Sequence, residues 1–201
     1  QMPSDKRPLA RLLVRQANGE MRHSVVERLK DELPKPALFI VNNSQVFPAR
    51  IFGNISTGAR VEFLLLKYLE AEKAWEILAR PHRKLEVEKI VSFDDKVNAK
   101  IISLSPTCKV QFNVDRLTLM DWIEKHGFMP LPPYIKRDYK NVDESINQVD
   151  KERYQTVFAA KAGSVAAPTA ALHFDTKLKE ELVGAGCDFA DVTLHVGAGT
   201  F

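Results

Sequence analysis

A chain of 201 residues is too long for a disulfide-stapled mini-domain and suits one domain, or one domain carrying a smaller insert. Its 45% hydrophobic and 27% charged residues exclude disorder, collagen-like repeats and coiled coil as the organising principle. Lys and Arg total 29 against 26 Asp and Glu, a formal charge of +3, compatible with a polyanionic partner but far below a dedicated nucleic-acid arm.

Cys108 and Cys187 have no metal-ligand spacing, and two unclustered thiols suit a reducing cytosol. No aliphatic run approaches a membrane span, and the N-terminal Gln-Met-Pro-Ser-Asp-Lys-Arg leads into no apolar signal core. The sequence reads as a cytoplasmic protein without membrane contact.

In chain order, Arg11-Leu12-Leu13-Val14 reads as a strand, and Asn18-Gly19 suits a tight hairpin turn. Ser24-Val25-Val26-Glu27 has the pattern of a capping box, followed by a helix with Val26, Leu29 and Leu33 on one face and stopped by Pro34. Leu38-Phe39-Ile40-Val41 reads as a strand buried on both faces. It empties into Asn42-Asn43-Ser44, which is either a ligand-contacting strand end or a turn whose Asn side chains cap the backbone.

From about residue 58 to 115 the texture becomes β, with short alternating strands that predict a small barrel. Asp115 caps a predicted helix through Leu119, Trp122 and Ile123 that closes at His126-Gly127. Three prolines between Met129 and Arg137 impose an extended path, and the polar residues 138–150 read as an exposed loop. The α/β texture then returns. The predicted fold is an α/β main domain with an inserted small antiparallel β-barrel: residues 1–57 and 150–201 form the main domain, 58–149 the insert with its Pro-rich arm and loop.

Chemistry concentrates in the last third. Residues 165–172 are small, as where backbone amides approach a ligand closely, and lead to His173, ahead of a helix capped by Asp175 or Thr176 with Leu178 and Leu182 on one face. His173 reads equally as a structural histidine in a tight turn. If Val192, Leu194 and Val196 face the core, Asp191, Thr193 and His195 share the other face, running into Gly197-Ala198-Gly199-Thr200. A histidine at such a strand end reaches a substrate easily and is the side chain suited to proton transfer near neutral pH, although a buried structural role fits the pattern as well. Arg153-Tyr154-Gln155-Thr156 has the groups to stack on a base or grip a phosphate, or to begin an ordinary exposed segment. The basic clusters at residues 80–84 and at Lys136-Arg137 are either solvated faces or binding sites.

The strings PARIFG, VEFLLL, HGFMPLPPYIKR, RYQTVFA, SVAAPTAALHF and VTLHVGAGTF, in this order, closely resemble the S-adenosylmethionine:tRNA ribosyltransferase-isomerase family of queuosine biosynthesis, from about Leu9 to Phe201. The resemblance implies an α/β domain with an inserted barrel, and a transferase-isomerase that modifies tRNA. The ribosyl part of S-adenosylmethionine moves onto a 7-aminomethyl-7-deazaguanine at the wobble position, giving epoxyqueuosine and releasing adenine and methionine. S-adenosylmethionine is consumed as a substrate, with no cofactor and no metal implied. The partners would be the tRNA anticodon stem-loop and S-adenosylmethionine, acting on a monomer.

The motifs carry the expected site over residue by residue. His195, His173 and Arg153 are the catalytic candidates. Arg50, Arg80, Tyr154, Gln155, Pro168, Thr169, Phe174, Gly197 and Gly199 are substrate-binding candidates, while Arg83, Lys84, Lys136 and Arg137 are the tRNA-binding ones. The chain departs from the family at Asn43 and Gln45, where an acid and a cation are usual, and at Ala171, where a glycine is common. The family also starts earlier and continues beyond the last motif, so an incomplete main domain is expected. A non-catalytic RNA-binding module, or an inactive fragment of such an enzyme, is the competing expectation.

Overall fold

Pairing of chemically distinct segments, more than helix periodicity, organises the chain. The structure, a computed structural model, describes residues 6–141, 143–197 and 199. Residues 1–5, read above for a signal core, and Ala198, Thr200 and Phe201 of the last motif lie outside the described residues.

After a 3₁₀ turn at Arg7–Leu9, β1 (Arg11–Arg15) and β2 (Met21–Val25) form the expected hairpin, with Gly19 at φ +88° in its turn. The capping box does not form. Ser24 pairs with Leu12 inside the hairpin, and Val25 precedes a 3₁₀ turn, Val26–Arg28, without any side-chain cap. One helical turn follows, α1 (Leu29–Glu32). Strand pairing has overridden the local signal, yet Val26, Leu29 and Leu33 still share one apolar cluster.

The strand β3 (Ala37–Asn42) runs through Asn43 into β4 (Ser44–Val46). Six strands then close a barrel: β5 (Arg50–Ile55), β6 (Arg60–Leu69), β7 (Ala74–Arg80), β8 (Ile90–Ser92), β9 (Asn98–Ser103) and β10 (Cys108–Phe112), in the order β10-β7-β6-β5-β8-β9. Every pairing in it is antiparallel. Its strands begin at Arg50, ahead of the change of texture near residue 58. Ile51, Phe63, Leu65, Val91, Ile101 and Val110 fill the interior. The helix α2 (Arg116–His126), capped by the Asp115 carboxylate accepting from the Thr118 amide at 2.9 Å, adds Leu119 and Ile123 to that core.

The Pro-rich segment is a strap rather than a free arm. Met129 and Leu131 are buried with Val46, Tyr154 and Ala167. Residues 138–150 are not simply a loop: α3 (Glu144–Arg153) begins at Asp143, whose carboxylate accepts from the Ser145 amide at 2.8 Å. The helix has no apolar stripe to betray it. Its buried side chain is Asp150, held by Arg137 through two bonds of 2.8 Å, and the Arg7 guanidinium donates to the carbonyls of Glu152, Arg153 and Gln155 at its end.

The chain closes with β11 (Lys161–Ser164), a 3₁₀ turn at Thr169–His173, α4 (Thr176–Gly184) and β12 (Cys187–Val192). Asp175 caps α4, accepting from the Leu178 amide at 2.8 Å. Parallel pairs join β11 to β4 and β12 to β3. An α/β layer with an inserted antiparallel barrel is therefore the observed architecture. Two burial expectations fail in the layer. Leu38 is 61% and Ile40 67% exposed, because α4 covers only one face of the β3–β12 pair. Val192 and Leu194 are likewise exposed: the strand starts at Cys187, and Cys187 and Phe189 set its inward phase on odd numbers.

Candidate functional site

Polar side chains knit the strand ends together. Asn42 accepts from the amides of Ser44 (3.0 Å) and Leu194 (3.1 Å) and donates to the Leu194 carbonyl (2.8 Å). Asn43 accepts from the Thr193 hydroxyl at 2.7 Å and donates to the Asp191 carboxylate at 3.4 Å. The asparagines thus cap backbone and neighbouring side chains, the plainer of the two readings of this turn. Ser164 is fully buried, and its hydroxyl accepts from the Val196 amide at 2.9 Å. That bond seats the segment carrying His195 next to β11.

His195 is exposed and lies across Gly163, where a Cβ would stand 2.9 Å from its Cε1. Gly163 also has φ +138°, so both space and backbone require glycine there. The imidazole lines a groove of about 730 Å³ between the α/β layer and the barrel. That volume suits a nucleoside-sized ligand. Tyr68 and Trp75 stand in the barrel-side wall with ring centroids 5.4 Å apart, and Arg116 stacks over Tyr68 at 4.8 Å while pairing with Glu70 at 2.6 Å. Gly197 joins the lining, and Gly199 is exposed just beyond. Sequence reasoning missed Tyr68, Trp75, Arg116 and Glu70, since only closure of the barrel brings them to His195.

The other expected residues sit elsewhere. His173 and Arg153 meet, with Arg7 and Lys6, in a smaller hollow of about 260 Å³, a different cavity from that of His195. Burial first, and then the Arg153 cation, lower the pKa of Arg7. Tyr154 is buried in the apolar cluster under the strap, and burial raises its phenol above the ordinary value. The Gln155 amide works as an extra strand rung: it accepts from the Val46 amide at 3.1 Å and donates to the Val46 carbonyl. Pro168 is half-buried and Thr169 exposed at the 3₁₀ turn, and Phe174 packs on the rings of Phe39 and Phe158 at 6.1 and 5.5 Å. Tyr154, Gln155 and Phe174 therefore have structural occupations that the sequence motif does not reveal.

A third cavity, about 400 Å³, opens on the barrel wall beneath the strap and gathers Arg50, Arg80, Lys136 and Arg137. Arg50 is buried, ion-paired with Glu62, and 5.1 Å from the ring of Tyr139, whose hydroxyl burial holds above the usual phenol range. Arg137 is engaged by Asp150, which raises its pKa, so a phosphate there would compete with a carboxylate already in place. Arg83 and Lys84 are exposed on a 3₁₀ turn, His82–Lys84, that follows β7. Among the described residues no group of three or more His, Cys, Asp or Glu could hold a metal, and no helix is long and apolar enough to cross a membrane.

Fold and cavities together define an α/β protein with an inserted closed barrel, an aromatic groove at the seam and a basic cleft on the barrel wall. The chain belongs to the family described as "Queuosine biosynthesis protein", which matches residues 1–201. It is 37% identical over 206 residues to the S-adenosylmethionine:tRNA ribosyltransferase-isomerase of Natranaerobius thermophilus, covering 100% of this chain and 57% of that protein. The protein of the same name from Treponema denticola is 38% identical over 207 residues, with 100% and 58% covered. A solved S-adenosylmethionine tRNA ribosyltransferase from Thermotoga maritima is 24% identical, covers 98% of this chain and 54% of that one, and gives a TM-score of 0.34. The chain thus spans less than three-fifths of the length of these relatives.

Proposed function

We propose that the protein is an S-adenosylmethionine:tRNA ribosyltransferase-isomerase. It transfers the ribosyl part of S-adenosylmethionine to the aminomethyl group of a 7-aminomethyl-7-deazaguanine at the tRNA wobble position. The ribose becomes an epoxycyclopentanediol, and adenine and methionine leave. The observation that carries this reading is the family match over residues 1–201, joined by relatives of that name at 37–38% identity along the whole chain. S-adenosylmethionine is the second substrate, the reaction calls for no separate cofactor or metal, and the enzyme works as a cytoplasmic monomer on the anticodon stem-loop.

The chemistry needs a base at the ribose, an acid for the departing adenine, and firm positioning of two large substrates. What supports His195 in a proton-handling role is its exposed ring in a groove of about 730 Å³, large enough for a small-molecule substrate. Gly197 and Gly199 leave that approach open, and Pro168 and Thr169 flank the turn to His173. Arg153 and His173 supply a second, cationic hollow for the acceptor side, and Arg83 and Lys84 face tRNA phosphates. The test is to incubate the protein with S-adenosylmethionine and tRNA carrying the deazaguanine precursor. Adenine release that depends on the modified tRNA is expected. Absence of adenine in spite of measurable tRNA binding would establish the RNA-binding module instead.

A further inference from the structure

The barrel wall turns one register outward across three strands: Arg50 opposes Leu64, Leu64 opposes Leu78, and Glu62 opposes Arg80. The strap crosses this row and closes the cleft of about 400 Å³. Four cations, Arg50, Arg80, Lys136 and Arg137, line it against one carboxylate, Glu62. Arg137 is answered by Asp150 and Arg50 by Glu62. Arg80 and Lys136 are exposed and pair with no carboxylate among the described residues. At the buried end, the Nε of Arg50 has no hydrogen-bond partner. With Arg50 and Arg137 neutralised by their carboxylates, Arg80 and Lys136 give the mouth of the cleft its excess of positive charge.

Charge decides between the two substrates of the proposed reaction. S-adenosylmethionine carries a sulfonium and an ammonium against one carboxylate, a net cation that an excess of arginine and lysine repels. An RNA strand presents an oxyanion at each nucleotide, and guanidinium groups match its non-bridging oxygens. We infer that the cleft between the strap and strands β5, β6 and β7 holds a backbone phosphodiester of the RNA, gripped by Arg80 and Lys136 at its exposed mouth. This deepens the proposed function and rests on tRNA being the acceptor substrate. It moves Arg80 to the RNA side, leaves the donor to the aromatic groove, and makes Arg137 a positioning residue that anchors the strap through Asp150.

The test measures anticodon stem-loop binding by fluorescence anisotropy across a salt series, with S-adenosylmethionine affinity measured in parallel by equilibrium dialysis. The double variant Arg80→Gln/Lys136→Gln, both exposed positions, should weaken RNA binding roughly 10-fold at low salt and flatten the log–log salt slope by about 0.7 to 1 for the lost phosphate contact. Its S-adenosylmethionine affinity should stay at the wild-type level. Wild-type RNA affinity and slope in the double variant would overturn the inference, as would lost S-adenosylmethionine binding with RNA binding intact, since the cleft would then hold the donor's carboxylate. Adenine release by the unsubstituted protein reports on the proposed function separately. If that fails while the salt slopes behave as expected, the cleft stands and the enzyme reading falls.

Discussion

Each strand of the barrel has two hydrogen-bonded neighbours, whereas β3, β4, β11 and β12 have one apiece among the described residues. The barrel encloses its inward apolar side chains on all sides, with Leu78 and Ile90 left on its outer surface. The α/β layer packs α4 on one face of β3 and β12 and leaves Leu38 and Ile40 of the other face in solvent. Parallel sheets are ordinarily covered on both faces, so the layer is the less self-sufficient of the two. The two parts consequently hold their candidate residues differently. Arg50 and Arg80 stand on strands fixed by closure of the barrel. His195 is placed by a few polar bonds from Asn42, Asn43 and Ser164 to the segment that carries it.

Substitutions sharpen that contrast. Phe63→Ala empties the centre of the barrel core, where Phe63 is 0% exposed and meets the edge of Phe93, and should cost about 3–5 kcal/mol in denaturant unfolding. A loss below about 1 kcal/mol would mean that the barrel relaxes around the void and is no stiffer than the layer. Asn43→Ala removes the acceptor of Thr193 and a donor to Asp191 and should cost about 1–3 kcal/mol. The loss should come with raised amide exchange around residues 191–196. Unchanged exchange there would break the claim that polar ties position His195.

A smaller effect is expected from acid. The Thr118 amide, donating to Asp115, holds that carboxyl below its ordinary value of 3.8. Its contribution is therefore present above 3.8 and lost as pH falls through the lower folded value. Asp115→Asn should flatten the pH dependence of the melting midpoint below about pH 4, and identical acid profiles for the two proteins would remove Asp115 as a cause. The smallest change should come from Ile40→Thr on the bare face, within about 0.5 kcal/mol, read together with reduced binding of an apolar dye. A cost of several kcal/mol would show that this face is covered in solution.

The features legible in the sequence are those written locally. Asn18-Gly19, the Asp115 and Asp175 caps and the alternating barrel strands needed no distant partner to be recognised. The rest depended on contacts across the chain. Ser24 was drawn into a strand by Leu12, and α3 is anchored by Arg137 and Arg7 rather than by an apolar stripe. The inward phase of β12 is set by Cys187 and Phe189, upstream of the motif that drew attention to His195. The motif residues split likewise. His195 reaches a groove, but Tyr154 and Gln155 turned out to hold the core and β4, and the aromatic wall opposite His195 comes from strands with no motif of their own.

The proposed transfer depends most directly on His195, and adenine release from S-adenosylmethionine in the presence of precursor tRNA tests that dependence. His195→Ala should lower the rate at least about 100-fold while tRNA affinity stays within about twofold of wild type. A rate near that of the wild type would contradict a proton-handling role and leave His195 as a structural residue resting on Gly163.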